Sequence, residues 1–197
     1  MQAEISVKSM SDKYDKQFII DSIIYMLMSV PDNVKIKVLN DKNYTLWRPG
    51  NREKGMMVSF PLYIMTWIEA NRFYVPLSGF VRAAVKLYDE LKPTTENNEI
   101  KEKIIDSIHG QIYAFYDGKK ILLVHFMDYK IVVGIANATR TTQIQFKDKD
   151  EYEKFKQSFS SSNKKIQMVC ELLNESLSRI KVSPRRIDSL ATILVGW

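Results

Sequence analysis

Residues 111–146 constrain the fold most, because they read as four β-strands in a row. The segments QIYAFY, KILLVHF, KIVVGIA and TTQIQF are short and rich in β-branched or aromatic residues, and turn residues separate them. Asp117-Gly118, between the first two segments, is a strong signal for a two-residue hairpin turn. Strands joined by such short turns pair antiparallel, so this region predicts an antiparallel sheet.

Both faces of the predicted sheet are largely apolar. A two-residue turn at Asp117-Gly118 divides the residues of these two strands between the faces. One face receives Tyr113, Phe115, Leu122, Val124 and Phe126, and the other receives Ile112, Ala114, Tyr116, Lys119, Ile121, Leu123 and His125. A sheet with one face in water alternates apolar and polar residues, and this one does not. The second face therefore needs a cover, which helices, another subunit or stacked nucleic-acid bases can each supply.

Helices are expected on both sides of this strand region, from apolar spacing together with capping and proline signals. They are expected at residues 11–29 with Ser11 as the N-cap, after Pro61, from Ser78 to Leu91, around residues 99–110, after the capping box Asp148-x-x-Glu151, at residues 163–180 and from Ser183-Pro184 onward.

Three more strands are expected before Pro61. The segments VKIKVL and YTLWRP flank Asn40-Asp41-Lys42-Asn43, which predicts a hairpin turn, and GMMVSF follows as a further strand. The fold class is therefore α+β, with antiparallel sheet, helices on at least one face and helical additions at both ends.

The polar segment 93–98 reads as an internal linker. It separates residues 1–92, a helix plus a strand–strand–strand–helix unit, from residues 99–197, a four-stranded antiparallel unit followed by C-terminal helices. The chain has 197 residues and is 45% hydrophobic, which suffices for a sizeable core. The two parts are expected to form one compact domain.

The composition argues against several classes of function. The single cysteine, Cys170, forms no internal disulfide, and His109 and His125 are too few for a zinc site. The sequence contains no phosphate-binding glycine loop and no hydrolase or metalloprotease motif. We therefore expect a protein without catalytic activity, metal or cofactor, located in the cytoplasm or on the nucleoid and not in a membrane.

The segment WRPGNREKG provides the main functional hypothesis. It places Trp47 beside Arg48, with Arg52 and Lys54 following, in a loop expected to join two strands. Arginine and lysine neutralise phosphates, and a tryptophan ring stacks on bases, so this combination suits single-stranded nucleic acid. The net charge of +6 favours a polyanionic partner. The alternative is a solvated hairpin loop with Trp47 folded onto the core.

Other cations and rings extend this hypothesis. Arg72 precedes two aromatic residues, Lys119 and Lys120 lie at a hairpin tip, and Arg140 precedes a strand. Two further arginines in the first turn of the last helix oppose its dipole, which indicates an acidic partner or a carboxylate elsewhere on the chain. The candidate nucleic-acid-binding residues are Trp47, Arg48, Arg52, Lys54, Arg72, Tyr113, Phe115, Tyr116, Lys119, Lys120, Arg140, Arg185 and Arg186.

The junction EKGMMVSFPLYIMTWIE resembles that of the single-stranded-DNA-binding transcriptional coactivators and their Whirly and PUR relatives. Lys54-Gly55, the apolar strand from Met57 to Phe60, Pro61 and Trp67 carry the resemblance. It implies a curved antiparallel sheet followed by a helix, in paired units, that binds single-stranded DNA or RNA. The long helical additions look more like those of the archaeal non-OB single-stranded-DNA-binding proteins of the ThermoDBP kind.

A protein–protein module is the competing hypothesis, such as an accessory subunit of a replication, transcription or viral complex. The helix expected at 163–180 carries Ile166, Val169, Leu173 and Leu177 close to a heptad spacing. This pattern favours a homodimer through the C-terminal helices. On the competing hypothesis the two-faced sheet and this helix bury against a partner.

Overall fold

The computed structural model describes residues 2–8, 14–47, 55–92, 99–107, 110–118, 120–135 and 141–179. In chain order the described elements are β1 (Gln2–Lys8), α1 (Lys16–Met28), α2 (Asp32–Asn40), α3 (Lys42–Thr45), β2 (Gly55–Pro61), α4 (Leu62–Asn71), α5 (Leu77–Leu91), β3 (Lys101–Ser107), β4 (Gly110–Tyr116), β5 (Ile121–Met127), β6 (Lys130–Ile135), β7 (Thr141–Gln145), α6 (Lys149–Ser161) and α7 (Lys165–Arg179). The predicted α+β class is confirmed.

The main sheet is a five-stranded antiparallel meander in the order β3-β4-β5-β6-β7. All four strands predicted after residue 110 are present, and β3 adds a fifth at one edge. Tyr113 lies opposite Val124, and Phe115 lies opposite Leu122. The unit predicted as four-stranded is thus one strand larger.

The hairpin between β4 and β5 has a longer turn than predicted. Tyr116 pairs with Ile121, so the loop contains four residues instead of Asp117-Gly118 alone. The Lys120 amide donates to Asp117 Oδ1 at 2.8 Å and helps to close it. The register differs from the predicted one by two residues, and because side chains alternate with a period of two, every residue keeps its predicted face.

Helices of the same chain cover both sheet faces, which confirms the first of the three predicted covers. On one face Tyr113, Phe115, Leu122, Val124 and Phe126 form a core with α6 and α7 residues, among them Phe159, Val169 and Leu173. On the other face Ile112, Ala114, Ile121 and Leu123 share a second core with apolar residues of α1, α4 and α5. The sheet therefore lies between two helical layers.

The predicted capping box sets the start of α6. The Glu151 amide donates to Asp148 Oδ1 at 2.8 Å, and Glu151 Oε2 accepts from the Lys147 amide at 2.8 Å. The helix then directs Tyr152, Phe155 and Phe159 onto the sheet. All three rings lie within 6.2 Å of the Phe126 ring, centroid to centroid. These aromatic contacts explain why α6 packs face-on against β5.

The hairpin predicted at residues 34–49 is wrong, because this segment forms α2 and α3. The alternation in VKIKVL fits a strand, but the same residues also fit a short helix that buries Lys35, Val38 and Leu39, spaced three and four apart. Pro31 occupies the N-cap position, and Asp32 lies in the first turn, where it complements the helix dipole. The element before Trp47 is therefore the helix α3 and not the predicted strand.

The helix predicted around residues 99–110 is also wrong. This segment forms β3, which pairs with β4 along its whole length, from Lys101 opposite Tyr116 to Ser107 opposite Gly110. Its burial alternates as in an edge strand, since Ile105 is buried whereas Ile104 is 52% exposed. Long-range pairing and β-branched isoleucines override the helical spacing here.

The strand predicted as GMMVSF is present as β2, but its partner is β1 and not a neighbouring hairpin. β1 and β2 form a two-stranded antiparallel sheet. Because α2 and α3 replace two predicted strands, residues 1–92 do not form the predicted strand–strand–strand–helix unit. The step from β2 into α4 after Pro61 is confirmed.

Several helix boundaries differ from the predictions. Asp15 caps α1, accepting from the Phe18 amide at 2.7 Å, whereas the predicted cap Ser11 lies outside the described residues. Pro76 and not Ser78 occupies the N-cap position of α5. α7 matches the helix predicted at 163–180, and the helix predicted from Ser183 lies outside the described residues.

Substitution of Gly134 tests how tightly α4 packs on β6. A Cβ at this position would overlap the hydroxyl of Tyr63, whose pKa is raised well above its usual range by burial. We expect Gly134→Ala to lower the free energy of unfolding by about 1–3 kcal/mol in urea titrations. Adding Tyr63→Phe should recover part of that loss, because it removes the overlapping oxygen. Equal losses of stability with and without Tyr63→Phe would contradict the close contact between Gly134 and the Tyr63 hydroxyl.

Candidate functional site

Two of the aromatic rings predicted to stack on bases are buried. Tyr113 and Phe115 are each 2% exposed, and both meet the Phe159 ring edge to face. The Tyr113 hydroxyl also hydrogen-bonds Ser160 Oγ at 2.9 Å. Since α6 covers these rings, neither offers a stacking surface. The prediction failed because a large apolar ring suits a core and a nucleic-acid interface equally well.

The two described candidates at the β4–β5 hairpin are partly buried. Tyr116 packs against the core on the α1 and α5 side, and its hydroxyl donates to the Gly118 carbonyl at 3.1 Å. Lys120 closes the turn through its backbone amide. Their neighbour Lys119 lies outside the described residues. The described part of this tip therefore has a clear structural role.

Trp47 lies just after α3 and is partly buried. It packs on the core, and its ring lies 5.9 Å from that of Tyr14 in a tilted arrangement. Three candidate cations follow Trp47, one precedes β7 and two belong to the predicted last helix. All six lie outside the described residues; they are Arg48, Arg52, Lys54, Arg140, Arg185 and Arg186.

Residues 72–75, called here the aromatic turn, connect α4 to α5 through an unusual backbone. Phe73 has a φ of 47° and Tyr74 a φ of 68°, so both lie in the left-handed region. This region costs a residue with a Cβ about 1–2 kcal/mol. Arg72 holds the turn: its Nε donates to Glu69 Oε2 at 2.6 Å, and its Nη1 donates to the Val75 carbonyl at 3.0 Å.

The strained backbone presents two rings to solvent. Tyr74 is fully exposed and Phe73 is 40% exposed. Exposed aromatic rings in a strained turn are a reason to look for function, because strain persists where the surrounding structure imposes it. The sequence Arg72-Phe73-Tyr74 indicated a basic and aromatic site at this turn. It did not predict the left-handed backbone of Phe73 and Tyr74.

The aromatic turn lies close to the segment that leads to Trp47. At the start of α5, a Cβ built on Gly79 would lie 2.8 Å from Val75 Cγ1 and 3.6 Å from Thr45 Cβ. Val75 directly follows Tyr74, and Thr45 precedes Trp47 by two residues. Gly79 thus lies between the last residue of the aromatic turn and the residues that precede Trp47.

Other potentially reactive groups have structural roles. His125 is buried, and its Nε2 lies 3.2 Å from Ser107 Oγ, while that hydroxyl donates to the Gly110 carbonyl. The serine thus helps to close the β3–β4 hairpin. Within the described ranges, no group of three or more histidine, cysteine or acidic side chains is placed to hold a metal ion. Among the described helices, none combines the length and hydropathy that a bilayer crossing requires.

Comparisons with protein-family models, with curated proteins and with solved structures gave no significant match to this chain.

Replacing Tyr74 by glycine distinguishes the free-energy cost of its strained backbone from any stabilisation by its ring. Glycine adopts a positive φ without steric cost but has more entropy to lose on folding, and Tyr74 buries almost no surface. We expect Tyr74→Gly to leave the free energy of unfolding unchanged or to raise it by up to about 1 kcal/mol in urea titrations. A loss greater than that would show that the ring packs against the protein.

Proposed function

We propose that this protein binds single-stranded nucleic acid without catalysis, through the aromatic turn and through the cations that follow Trp47 in sequence. The observation that carries the proposal is the fully exposed Tyr74 ring, held in place by a left-handed backbone. An aromatic ring of this kind offers a stacking plane to any base. Base stacking on aromatic side chains contributes about 1–3 kcal/mol per base.

The charge of the segment that follows Trp47 in sequence supports a polyanionic ligand. Arg48, Arg52 and Lys54 follow Trp47 within seven residues, and the chain has a net charge of +6. Arg72, by contrast, already bonds Glu69 and the Val75 carbonyl. We therefore assign Arg72 the role of holding the turn, and assign phosphate contacts to the cations that follow Trp47.

The resemblance to single-stranded-DNA-binding coactivators belongs to the same proposal. β2 leads directly into α4, and Trp67 is fully buried as the anchor of that helix. The resemblance does not extend to base binding on the sheet, since helices cover both sheet faces. Binding is therefore proposed at loops and turns, unlike the binding by aromatic residues of the sheet that the sequence suggested.

The proposal places the protein in the cytoplasm or on the nucleoid, with single-stranded DNA or RNA as its partner. A homodimer through the C-terminal helices is part of it as well. Val169 and Leu173 of α7 are buried in the chain's own core, so such a contact would use other positions.

A protein–protein role is a second candidate, and the edge strand β3 favours it. Ile100 and Ile104 are 47% and 52% exposed at this edge of the main sheet. An edge strand with exposed apolar residues is a ready site for pairing with another chain. On this hypothesis the protein is an accessory subunit, and salt should affect partner binding only weakly.

Titration of a fluorescent single-stranded oligonucleotide at about 50 and 200 mM salt tests the primary proposal. We expect binding that weakens steeply with salt. Tyr74→Gly should weaken it by roughly 5- to 160-fold, since one stacked base contributes about 1–3 kcal/mol. Arg48→Ala combined with Arg52→Ala should leave folding intact, weaken binding and reduce the salt dependence.

Tyr129→Gly is the matched control. Tyr129 also has a positive φ, 62°, and is 47% exposed, but it lies in the β5–β6 turn. This variant should bind like the unaltered protein. Absence of binding at low salt would reject the nucleic-acid proposal, and equal effects of Tyr74→Gly and Tyr129→Gly would reject the assigned surface.

A further inference from the structure

β7 is one of the two edges of the main sheet, because the strand order runs from β3 to β7. Within the described part of the chain, β7 pairs with β6 on one side and with no strand on the other. Its residues, Thr141 to Gln145, include no charge and no proline. Natural proteins protect an unpaired edge with charges, proline or bulges, because such an edge is a template for another chain.

A hydrogen bond between β7 and β6 shows which backbone groups of β7 point outward. The Phe146 amide donates to the Tyr129 carbonyl at 3.4 Å, in the same register as the rest of the β6–β7 pair. Residues that bond the neighbouring strand alternate along an antiparallel pair with residues that do not. Every second residue therefore directs its N–H and C=O away from β6. These residues are Thr141, Gln143 and Gln145, all three of them exposed.

The outward groups fit a second copy of the same strand. A two-fold axis at Gln143, normal to the sheet, places this residue opposite its own copy in an antiparallel pair. The same axis places Thr141 opposite Gln145. Every outward N–H and C=O of β7 then faces a group with which it can bond. Moving the axis by one residue leaves Thr141 or Gln145 opposite a residue outside β7.

The side chains agree with this register. The two Gln143 amides meet at the axis, and each amide carries both donors and an acceptor. Thr142 lies opposite Ile144 of the other copy, and β-branched side chains suit such cross-strand contacts. Like charges never meet in this pair, because the strand has none.

The other edge of the sheet does not suit the same contact. The register that pairs β3 with its own copy along the whole strand has its axis at Ile104. It sets Glu102 opposite Asp106, and like charges directly opposite destabilise a strand pair. Lys103 lies on the inward side of β3, where its Nζ donates to the Leu27 carbonyl, and an inward charge protects an edge. A second copy is therefore expected at β7 and not at β3.

We propose that two copies of this chain associate through their β7 edges, in a symmetric antiparallel pair centred on Gln143. The two main sheets then form one continuous antiparallel sheet. A contact of five residues per copy covers less than the roughly 1,200 Å² of a stable interface. The dimer is therefore weak, and the protein is monomeric at low micromolar concentration. This contact is separate from the one proposed for the C-terminal helices.

Sedimentation equilibrium of the full chain measures the association, with an expected Kd between about 10 μM and 1 mM. Amide resonances followed by NMR over the same range of protein concentration locate the contact. We expect those of Thr141, Gln143 and Gln145 to shift with concentration more than those of Thr142 and Ile144. Only the first three amides gain a hydrogen bond, since the other two already bond β6.

Gln143→Lys should raise the Kd at least about tenfold, because it sets two like charges against each other at the axis. Ile104→Lys is the matched control, since it adds the same charge at a 52% exposed position of the opposite edge. This variant should leave the Kd unchanged. Gln143→Pro removes an N–H that β6 does not use, and it replaces the lysine variant if circular dichroism shows the latter to be unfolded.

Several outcomes would overturn the proposal. They are a lack of association up to about 1 mM protein, and association that Gln143→Lys leaves unchanged or that Ile104→Lys weakens equally. Shifts of Thr142 and Ile144 as large as that of Gln143 would exclude pairing at the edge. These measurements use no nucleic acid, so their outcome does not depend on the proposed function.

Discussion

Both faces of the main sheet are apolar, and both must be shielded from water. β5 illustrates it, because six of its seven residues, Ile121 to Phe126, are buried. Such a strand is stable only if both of its sides are covered. α6 and α7, which follow the sheet, cover one side through Phe159 and Val169; α1, α4 and α5 cover the other. The positions of the helices, and of the turns between them, follow from this requirement.

The sequence predicted the part of the fold that strong local patterns determine. The strands of the β4–β7 meander, the faces of the β4 and β5 residues and the capping box at Asp148 and Glu151 were correct, because period-two alternation and capping chemistry act over a few residues. The segments 34–39 and 100–105 were misassigned because a few alternating or isoleucine-rich residues fit both a helix and a strand. Burial of Val38 and Leu39 decided the first, and pairing with β4 decided the second.

The candidate site was harder to predict, since residue type does not reveal what a side chain contacts. Tyr113 and Phe115 have the chemistry of a stacking platform, yet α6 buries them. The left-handed backbone that exposes Tyr74 depends on how α4 and α5 are joined, and no local motif signals it. The exposed aromatic candidate therefore lies in the turn between two helices.

Helices of the same chain cover both sheet faces, so we expect ligands to contact turns. Amide hydrogen exchange distinguishes this arrangement from cover by a second copy or by nucleic acid. It is measured for β4, β5 and β6 at several protein concentrations, with and without a single-stranded oligonucleotide. Buried central strands exchange only when the whole domain unfolds. We expect these amides to exchange at the rate of global unfolding in the free protein, whatever its concentration. Protection that rises with protein concentration, or that develops only when the oligonucleotide is added, would show that a second copy or the nucleic acid covers a face, and would contradict the account.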